Sequence, residues 1–438
     1  MIGGGNVNMN SLAKKQACGG GSVFFESTTI FSNSTGQPPE PSGARAGNVI
    51  FTTANFPAAI SLDGGNTFHA IDPTVYSGPA NPATDAGFCC DQIVQYLPSI
   101  DRFAWLIQYW ANAASANKLR LITFRPQDVT TTGINSWLYI DFLSTDLGLT
   151  NKLDAGELAV GNNQLYLSAT NTGTGLVVMR VPIAALGVVG SFTYWYTDPN
   201  NGQVAYLSRL SQNPGDTLFW AGHSTYGTDL RVFRWPESGT TYFWTDLRIN
   251  DWPSNTANFV SNCPGSPTNW IFSVLFGRII GSTRRSMNEV WFAWAAAAGD
   301  RLPNVHVQIA QIGVANWPNL QLLRQWQIWN PDFAFIYPAL YTNECGDVGV
   351  SVMFGGGKAG FNPSSAVGII DSDGVLTRTV YYPELSGTCE DRFGDYLTVR
   401  SDNGTNFEGY VYAEQAVPGG GIQRNARYIG FYRDTVIG

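Results

Sequence analysis

The sequence predicts an all-β protein, a single seven-bladed β-propeller with an extended N-terminal arm; six or eight blades are the alternatives. Composition gives the first reason: of 438 residues, 48 are glycine, 13% are aromatic and 13% are charged, whereas about 25% of a typical soluble chain is charged. The second is a run of short apolar–polar alternations separated by turn signals, with no long stretch of helical period. These features are typical of a turn-dense β protein.

A repeat is the third reason. Polar residues open the inner-looking strands at intervals of 66, 66, 124 and 48 residues, and Arg285 lies near the midpoint of the long interval. One four-stranded sheet in each interval is the pattern of a propeller. A pair of β-sandwiches is the alternative fold, and it would show a linker near the middle of the chain, where the sequence has none. The residues that open these strands are Asp91, Glu157, His223, Asp347 and Asp395.

The arm is predicted to span residues 1–46, which are rich in Gly, Ser, Asn and Pro, and the propeller to span residues 47–438. The arm contains one strand-like run, Val23–Phe31. A propeller needs its first and last units joined, so we expect Phe24–Phe31 to pair with the last blade and close the ring.

Charge and hydropathy exclude two classes of partner. The formal net charge is −8, and Arg284–Arg285 is the one arginine pair, which argues against nucleic acids and anionic membranes. No window of 18 residues is apolar throughout, so we expect no membrane insertion. The first residues lack the basic-then-apolar order of a signal peptide, and a secreted chain of this kind has lost its peptide or uses another route.

Six cysteines, none in CxxC spacing, indicate disulfides and an extracellular location rather than zinc or thioredoxin-type chemistry. Six cysteines allow fifteen connectivities. Adjacent Cys89 and Cys90 either bond to each other, giving a flat apolar face that can support a ligand, or pair elsewhere. Among separate bridges we favour Cys345–Cys389, the most local one.

One motif has a local mechanism. Ser61–Phe68 reads Ser-Leu-Asp-Gly-Gly-Asn-Thr-Phe. Asp63 can accept hydrogen bonds from backbone amides of its own turn, and Gly64 and Gly65 tolerate positive φ. The segment resembles the Asp box of sialidase-like propellers, which implies a blade-turn role and membership of that superfamily.

The resemblance covers eight residues, occurs once and implies no sialidase activity. Phe124-Arg125-Pro126 lacks the spacer of the sialidase Arg motif, and no arginine triad is evident. Two further segments, Gly87–Gln92 and Arg392–Arg400, look like parts of uncharacterised secreted propeller proteins. That likeness implies a class of protein rather than an activity.

Residues that open inner strands should converge at the mouth of the central channel. A carboxylate pair there is the apparatus of a glycoside hydrolase, whereas a His or Tyr base beside an Arg suits a polysaccharide lyase. His223 is the best base among three histidines, since His69 reads as a surface turn and His306 as structural. The candidate catalytic residues are His223, Asp91, Glu157, Asp347 and Asp395.

The candidate substrate-binding residues are arginines and aromatic residues suited to sugars. They are Arg285, Arg392, Tyr396, Arg400, Trp110, Trp137 and Trp252. Structural roles are the alternative: backbone hydrogen bonds at strand starts, an ion pair joining the last blade to the first, and packing between blades. No cofactor is expected; a structural Ca²⁺ at Asp91 or Asp347 is compatible with the carboxylates.

The sequence therefore predicts a secreted carbohydrate-active enzyme that acts on a polysaccharide at the channel mouth. Two alternatives stay open: a lectin or adhesin that binds glycans without cleaving them, and a structural protein of an extracellular surface that self-associates.

Overall fold

Seven antiparallel sheets are arranged around a central channel as the blades of a propeller, which confirms the predicted fold. The computed structural model describes residues 23–32, 38–189, 193–197, 203–299, 301–358, 360–370, 376–382, 389, 393–402, 404–417 and 421–433. Helices in this part of the chain are short. They are α1 (Thr74–Ser77) and 3₁₀ turns at Pro98–Ile100, Pro126–Asp128, Ile183–Gly187, Thr256–Asn258 and Ser273–Leu275.

The first three blades each run from an innermost to an outermost strand. Strand β1 (Val23–Ser32) belongs to blade 7, and blade 1 contains β2 (Ser42–Ala46), β3 (Val49–Thr53), β4 (Ala58–Ser61) and β5 (His69–Ile71). Blade 2 contains β6 (Phe88–Leu97), β7 (Arg102–Tyr109), β8 (Lys118–Phe124) and β11 (Leu138–Leu143), and a separate hairpin of β9 (Val129–Thr130) and β10 (Gly133–Ile134) lies between β8 and β11 in the chain. Blade 3 contains β12 (Leu153–Val160), β13 (Gln164–Asn171), β14 (Gly175–Pro182) and β15 (Trp195–Tyr196).

The remaining four blades continue in the same direction. Their strands are β16 (Thr217–Thr225), β17 (Asp229–Pro236) and β18 (Phe243–Arg248) of blade 4; β19 (Ile279–Ser286), β20 (Glu289–Ala296), β21 (His306–Gly313) and β22 (Gln321–Ile328) of blade 5; β23 (Ala334–Thr342), β24 (Val348–Gly356), β25 (Phe361–Ile370) and β26 (Leu376–Tyr382) of blade 6; and β27 (Thr398–Ser401), β28 (Phe407–Val417) and β29 (Gly421–Arg433) of blade 7, with β1 outermost.

Burial falls from the middle of a blade to its edge. Every residue of β7 and β8 is buried, whereas outermost β18 is mostly exposed. Sheets packed on both faces favour near-continuous apolar strands, and a solvated strand tolerates polar residues. Aromatic rings fill the spaces between blades; Phe51 of β3, for example, meets Trp105 of β7 edge-on, with ring centroids 5.0 Å apart.

The N-terminal strand closes the ring. β1 pairs antiparallel with β29, from Val23 opposite Arg433 to Ser32 opposite Asn425, as the fourth strand of blade 7. The predicted closure is therefore confirmed. Blade 1 begins at Ser42, inside the segment that the sequence analysis assigned to the arm.

The predicted turn motif joins β4 to β5. The Asp63 carboxylate accepts hydrogen bonds from Thr67 N at 3.0 Å, Thr67 Oγ1 at 2.7 Å and Ser61 Oγ at 2.8 Å. Gly64 and Gly65 have φ of 75° and 96°. The local interactions expected of Asp63 and the two glycines are thus present, and Phe68 packs against Tyr428 of blade 7, with ring centroids 6.0 Å apart.

Blade 4 contains a short innermost segment before β16. Arg209 N donates to Ile279 O, Ser211 N to Phe219 O and Gln212 N to Ser282 O, so Arg209–Gln212 bridges β16 of its own blade and β19 of the next. This segment takes the place that β16 would otherwise occupy beside the channel.

A left-handed residue lies shortly before each innermost strand or segment, or among its first four residues. The seven residues and their φ values are Glu40 (47°), Asp91 (41°), Ala155 (50°), Leu207 (58°), Gly277 (64°), Tyr337 (55°) and Gly394 (101°). Positive φ is uncommon for residues other than glycine, yet it recurs at this position in every blade. We take this ring as the structural repeat that turns each chain segment from the channel mouth into its blade.

Candidate active site at the channel mouth

A cavity of about 250 Å³ lies where the innermost strands begin. Its residues come from blades 1 to 5 and 7, and several belong to the left-handed ring or follow it directly. The polar side chains that line it are Glu40, Asp91, Asp154, Tyr206, Arg209, Asp395 and Tyr396. Apolar side chains from blade 5 and the segment before β16 form the opposite wall; they are Leu207, Phe272, Val274, Leu275 and Ile280.

Glu40 is the most buried carboxyl group of the cavity, at 2% exposure. Burial is the largest cause that raises the pKa of Glu40 well above its usual range, followed by the charge of Asp91 and hydrogen bonds to Asp91 and Asp395. Glu40 Oε2 has no hydrogen-bond partner among the described residues. A carboxyl group without donors, facing other carboxyl groups, holds its proton more tightly than a free one.

Burial also raises the pKa of Asp91, whereas the hydrogen bond from Glu40 acts in the opposite direction. Glu40 is therefore the proton donor of this pair and Asp91 the acceptor. Two carboxyl groups in one site whose environments separate their protonation states can serve as an acid and a base.

Local backbone geometry directs Asp91 into the cavity. Cys89 and Cys90 form a disulfide with each other, Asp91 follows with φ of 41°, and the register between β6 and β7 shifts between Phe88 and Gln92. The backbone amide of Ala155 donates to Asp91 Oδ2 at 3.3 Å. An ordinary strand would alternate its side chains between the two sheet faces, and the bulge interrupts that alternation at Asp91.

Asp154 contributes a second carboxylate from blade 3. Gln108 Nε2 donates to Asp154 Oδ1 at 2.7 Å, and Lys152 Nζ lies 2.7 Å from Asp154 Oδ2. The same Gln108 amide lies 3.8 Å from Cys90 Sγ. One amide side chain therefore connects the adjacent-cysteine disulfide to this carboxylate.

An ion-pair network lies deeper in the channel. Arg209 Nη1 donates to Glu157 Oε2, and Arg400 Nη2 lies 3.8 Å from Glu157 Oε1. The Arg209 guanidinium also lies 3.6 Å from the centre of the Tyr396 ring. All four side chains are at most 8% exposed. The side chains of Glu157 and Arg400 are thus fixed in place below the cavity, and the Arg209 guanidinium is already paired with Glu157.

Of the predicted site residues, the structure brings Asp91, Asp395 and Tyr396 to the cavity, with Glu157 and Arg400 beneath it. Arg392 falls outside the described residues. The prediction of convergence at the channel mouth therefore agrees with the positions of these five residues.

His223 lies one strand out from the channel, at the end of β16. It packs in a cage of aromatic rings between blades 4 and 5, with ring centroids 4.9 Å from Trp252 and 5.0 Å from Trp294. Burial lowers the pKa of His223 to about 3, so the ring is neutral near pH 7. His223 and Trp252 are not among the residues that line the cavity.

Arg285 and Asp347 lie at the opposite end of the channel, contrary to the expectation that they open inner strands. Arg285 is near the end of β19, where its Nε donates to Gly346 O at 3.0 Å. Asp347 precedes β24, the second strand of blade 6, and accepts from Arg433 Nε at 2.9 Å. Neighbouring strands are antiparallel, so a second strand begins where the first one ends.

The predicted aromatic binders separate into two groups. Trp110 is half exposed at the end of β7. Trp137 lines a second groove of about 270 Å³ at the outer part of blade 2, together with Tyr139. Trp252 is buried beside His223. Trp105 and Trp220, by contrast, are at most 2% exposed and belong to the cores of their blades.

The disulfide pairing corrects one expectation. Cys263 bonds to Cys389, so the favoured Cys345–Cys389 bridge is wrong. Cys345 is itself disulfide-bonded. Proximity along the sequence failed as a guide because the loop before β19 and the chain before β27 meet on the mouth side of the propeller, where Phe393 N donates to Trp270 O.

Glu40, Asp154 and Arg209 were missed by the sequence analysis. Glu40 stands before Pro41 in a stretch that reads as a flexible arm, and Arg209 lies in a short segment between turn residues. The left-handed ring was the signal that relates them, but it consists of backbone angles at seven dissimilar residues.

In the part of the chain that the structure describes, no group of three or more His, Cys, Asp or Glu side chains is arranged to hold a metal ion. Among the same residues, no helix has the length and hydropathy needed to cross a membrane.

The fold and the cavity define a β-propeller with an acidic cavity at its channel mouth. No protein-family model matches the chain, and no curated protein matches it in sequence. Solved structures that share the architecture include a protein of unknown function from Dyadobacter fermentans, with 10% identity, a TM-score of 0.44 and coverage of 94% of this chain and 99% of that one.

Two other solved structures are similarly distant. AofleA from Arthrobotrys oligospora has 10% identity and a TM-score of 0.40, covering 84% of this chain and 92% of that one. An α-L-arabinanase from Penicillium chrysogenum, complexed with arabinobiose, has 11% identity and a TM-score of 0.39, covering 92% and 98%. Likeness at these TM-scores indicates nothing about the activity of this chain.

Proposed function

We propose that the protein is a glycoside hydrolase that cleaves a polysaccharide at the channel mouth. The observation that carries the proposal is that the carboxyl groups of Glu40 and Asp91 line one cavity, and that burial and neighbouring carboxyl groups raise the pKa of Glu40 well above its usual range. Glycoside hydrolysis needs such a division of roles between an acid and a base or nucleophile.

In the proposed reaction a sugar unit enters between Glu40 and Asp91 in place of their hydrogen bond, because the two carboxyl groups of a glycoside hydrolase stand about 5–9.5 Å apart. Glu40 then donates its proton to the glycosidic oxygen as that bond breaks, and Asp91 takes a proton from the water that forms the new bond to the anomeric carbon. Asp395 raises the proton affinity of Glu40. Arg209 and Glu157 position the floor of the site without touching the substrate. A sugar ring has polar edges and an apolar face, and the cavity has one acidic wall and one apolar wall.

Hydrolysis fits the cavity better than lyase chemistry does. A lyase acting on uronates needs positive charge for the substrate carboxylate, but Arg209 is bound to Glu157. It also needs a His or Tyr base at the substrate. His223 lies outside the cavity lining among aromatic rings, and burial raises the pKa of the Tyr396 hydroxyl in the lining, which makes it a poor base. The base role predicted for His223 stays untested, and so do the catalytic roles predicted for Glu157 and Asp347.

The test is an assay for new reducing ends on a panel of polysaccharides, run alongside the ultraviolet absorbance of unsaturated uronates. Wild-type protein should release reducing ends without the absorbance rise. Glu40→Gln and Asp91→Asn should each lose a factor of about 10²–10⁴, the usual contribution of a positioned acid or base. The exposed control Asp251→Asn, whose side chain is 77% exposed, should retain activity. An absorbance rise, or full activity in Glu40→Gln, would overturn the proposal.

Glycan binding without cleavage is the second candidate function. The groove that contains Trp137 and the exposed Tyr139 favours it, because aromatic faces stack on sugars. Binding that survives Glu40→Gln and is lost in Trp137→Ala would support a lectin.

Two further proposals concern the location of the protein and the superfamily to which it belongs. We propose secretion, supported by the Cys89–Cys90 and Cys263–Cys389 disulfides, since disulfides persist in oxidising compartments. We also propose membership of the sialidase-like superfamily, supported by the turn around Asp63. Self-association stays a prediction that a sedimentation measurement would test.

A further inference from the structure

Asn55 connects the two chain segments that carry the carboxyl groups of the cavity. It lies in the turn between β3 and β4 and is 5% exposed. Its Nδ2 donates to Pro38 O at 2.7 Å, and its backbone N donates to Pro39 O at 2.7 Å. Its Oδ1 accepts from Asp91 N at 3.2 Å. One residue therefore contacts both the backbone just ahead of Glu40 and the backbone of Asp91.

The segment that carries Glu40 has few hydrogen-bond donors of its own. Glu40 follows Pro38 and Pro39 and precedes Pro41, and proline has no backbone N–H. Glu40 nevertheless has a φ of 47° and a side chain that is only 2% exposed. Such a segment is anchored through its carbonyl oxygens, and Asn55 binds two of them.

The backbone of Asp91 also depends on a partner outside its own sheet. The pairing of β6 with β7 passes from Phe88 to Gln92, so the Asp91 amide lies outside the regular ladder. Backbone amides in the interior of a fold are nearly always paired. The Oδ1 atom of Asn55 is the acceptor that this amide binds.

We propose that Asn55 is a positioning residue of the site, which fixes the backbones of Glu40 and Asp91 relative to each other. This inference rests on the proposed function and assigns a residue that supports it. Asn55 is not among the residues that line the cavity, so it acts through the two carboxyl groups. Its contacts are with backbone atoms, and they therefore persist when a sugar unit separates the two side chains.

The proton affinity of Glu40 reports on this arrangement. Burial, followed by the neighbouring Asp91 and Asp395, raises the pKa of Glu40. The charges of Arg209 and Tyr396 also interact with Glu40. When the segment of Glu40 is released from Asp91 and water enters between them, the pKa of Glu40 should fall towards its ordinary value.

Infrared spectroscopy of the full chain measures the protonation of Glu40 without a substrate. The band of a protonated carboxyl group that is present in wild-type protein and missing from Glu40→Gln belongs to Glu40, and its loss is followed as the pH rises. Asn55→Ala removes the side-chain bonds to Pro38 O and Asp91 N, so its band should disappear at a lower pH. Its kcat on a cleaved polysaccharide should fall by about 10²-fold with little change in KM, since small misplacements of reacting groups have effects of that size.

Asn343 provides a matched control at the opposite end of the channel. It is 6% exposed, its Nδ2 donates to Thr405 O at 2.8 Å, and its Oδ1 accepts from Cys345 N and Asp347 N at 3.0 Å. Asn343→Ala thus removes a buried amide that connects two blades, as Asn55→Ala does. It should lower the melting temperature but leave kcat and the pH at which the Glu40 band disappears unchanged.

The outcomes separate this inference from the proposed function. A Glu40 band that disappears at the wild-type pH in Asn55→Ala, or at the same lowered pH in Asn343→Ala, refutes the inference and leaves the hydrolase proposal standing. A shift confined to Asn55→Ala, in a protein that cleaves no polysaccharide, supports the positioning by Asn55 and overturns the hydrolase proposal. Absence of the band from wild-type protein refutes both.

A second variant covers the case in which Asn55→Ala does not fold. Asn55→Ser keeps a polar group in the turn, but its hydroxyl is too short to reach both Pro38 O and Asp91 N. The same lowered pH for the Glu40 band and the same loss in kcat are expected for Asn55→Ser, and wild-type values for both would refute the inference.

Discussion

Replacing Glu40 by Gln should make the protein more stable at neutral and alkaline pH while removing its proposed activity. At neutral and alkaline pH the folded state must either hold the Glu40 proton against the solution or ionise Glu40 among other carboxyl groups, and a buried polar group without a compensating partner costs about 1–3 kcal/mol. Glutamine keeps the shape of the protonated acid and cannot ionise. An ordinary buried glutamate that is held by donors would behave in the opposite way, because its replacement would remove favourable contacts.

The direction of the pKa shift of Glu40 determines how the stability difference between wild type and variant changes with pH. Neighbouring carboxyl groups and burial raise the pKa of Glu40 above its ordinary value of 4.5. The folded state therefore binds this proton more tightly than the unfolded state. Its contribution to stability is complete below the ordinary value and is lost as the pH rises through the folded-state pKa. Wild-type and Glu40→Gln proteins should thus be nearly equal at pH 4 and differ at pH 8.

The expected change in the free energy of unfolding determines which measurement can detect it. Unfolding entropy of about 2.1 cal/mol/K per residue over 438 residues turns 1–3 kcal/mol into a rise of about 1–3 °C in melting temperature. Calorimetry and urea unfolding at both pH values would resolve it, with Asp251→Asn as the control. A Glu40→Gln protein that is less stable than wild type at pH 8, or a difference that is the same at both pH values, would refute the reasoning.

Three further predictions concern the scaffold. Converting Cys263 and Cys389 to Ser opens a loop of 126 residues, which should lower the free energy of unfolding by up to about 5 kcal/mol; an unchanged melting temperature would show that the ring already holds this loop. Deleting residues 1–32 exposes the surface that buries Val23, Ile30 and Phe31, and the loss of about 5–9 kcal/mol should prevent cooperative unfolding in a calorimetric scan, unless blade 7 is stable with three strands. Asp63→Ala removes three hydrogen bonds of the β4–β5 turn and should cost about 1–2 kcal/mol. Although burial opposes it, hydrogen bonding by Thr67 lowers the pKa of Asp63, so this difference between wild type and variant should be present at pH 7 and shrink as the solution is acidified towards the folded-state pKa.

The fold was predictable because its evidence is distributed over the whole chain. Alternation, turn residues and repeated spacing all indicate blades, and an error in one blade does not remove the signal from the others. The ring closure by β1 was predictable for a different reason: a propeller needs its ends joined, and Val23–Phe31 was the one strand-like run ahead of the first blade.

The site residues were harder to predict, because they depend on the exact position in the sequence at which each innermost strand begins. Asp91 and Asp395 were assigned correctly to the mouth. His223 was misplaced because blade 4 has the short innermost segment Arg209–Gln212, which moves β16 one position outward. Asp347 and Arg285 were misplaced because an even spacing was imposed on blades whose connecting loops differ in length.

Glu40 was out of reach for another physical reason. A glutamate before a proline in a glycine- and serine-rich stretch has the local character of a loop, and nothing in its neighbours along the chain reports that it will be buried. Its φ of 47° and its position between Asp91 and Asp395 arise only when blade 7 packs against blade 1. The same holds for Cys263 and Cys389, which are brought together by the tertiary fold.

The location of the carboxyl cluster connects the closure of the ring with the proposed chemistry. Asp395 precedes blade 7, Glu40 precedes blade 1 and Asp91 begins blade 2, so the cluster spans the junction where the two ends of the propeller meet. Bringing carboxyl groups together in a buried site is unfavourable by itself. Contacts at the same junction offset it: Arg45 of blade 1 pairs with the buried Glu408 of blade 7, and β1 completes that blade. The ring therefore closes in spite of the cluster, and its closure contacts hold Glu40 at the channel mouth beside Asp91 and Asp395, where burial and these neighbours raise the pKa of Glu40.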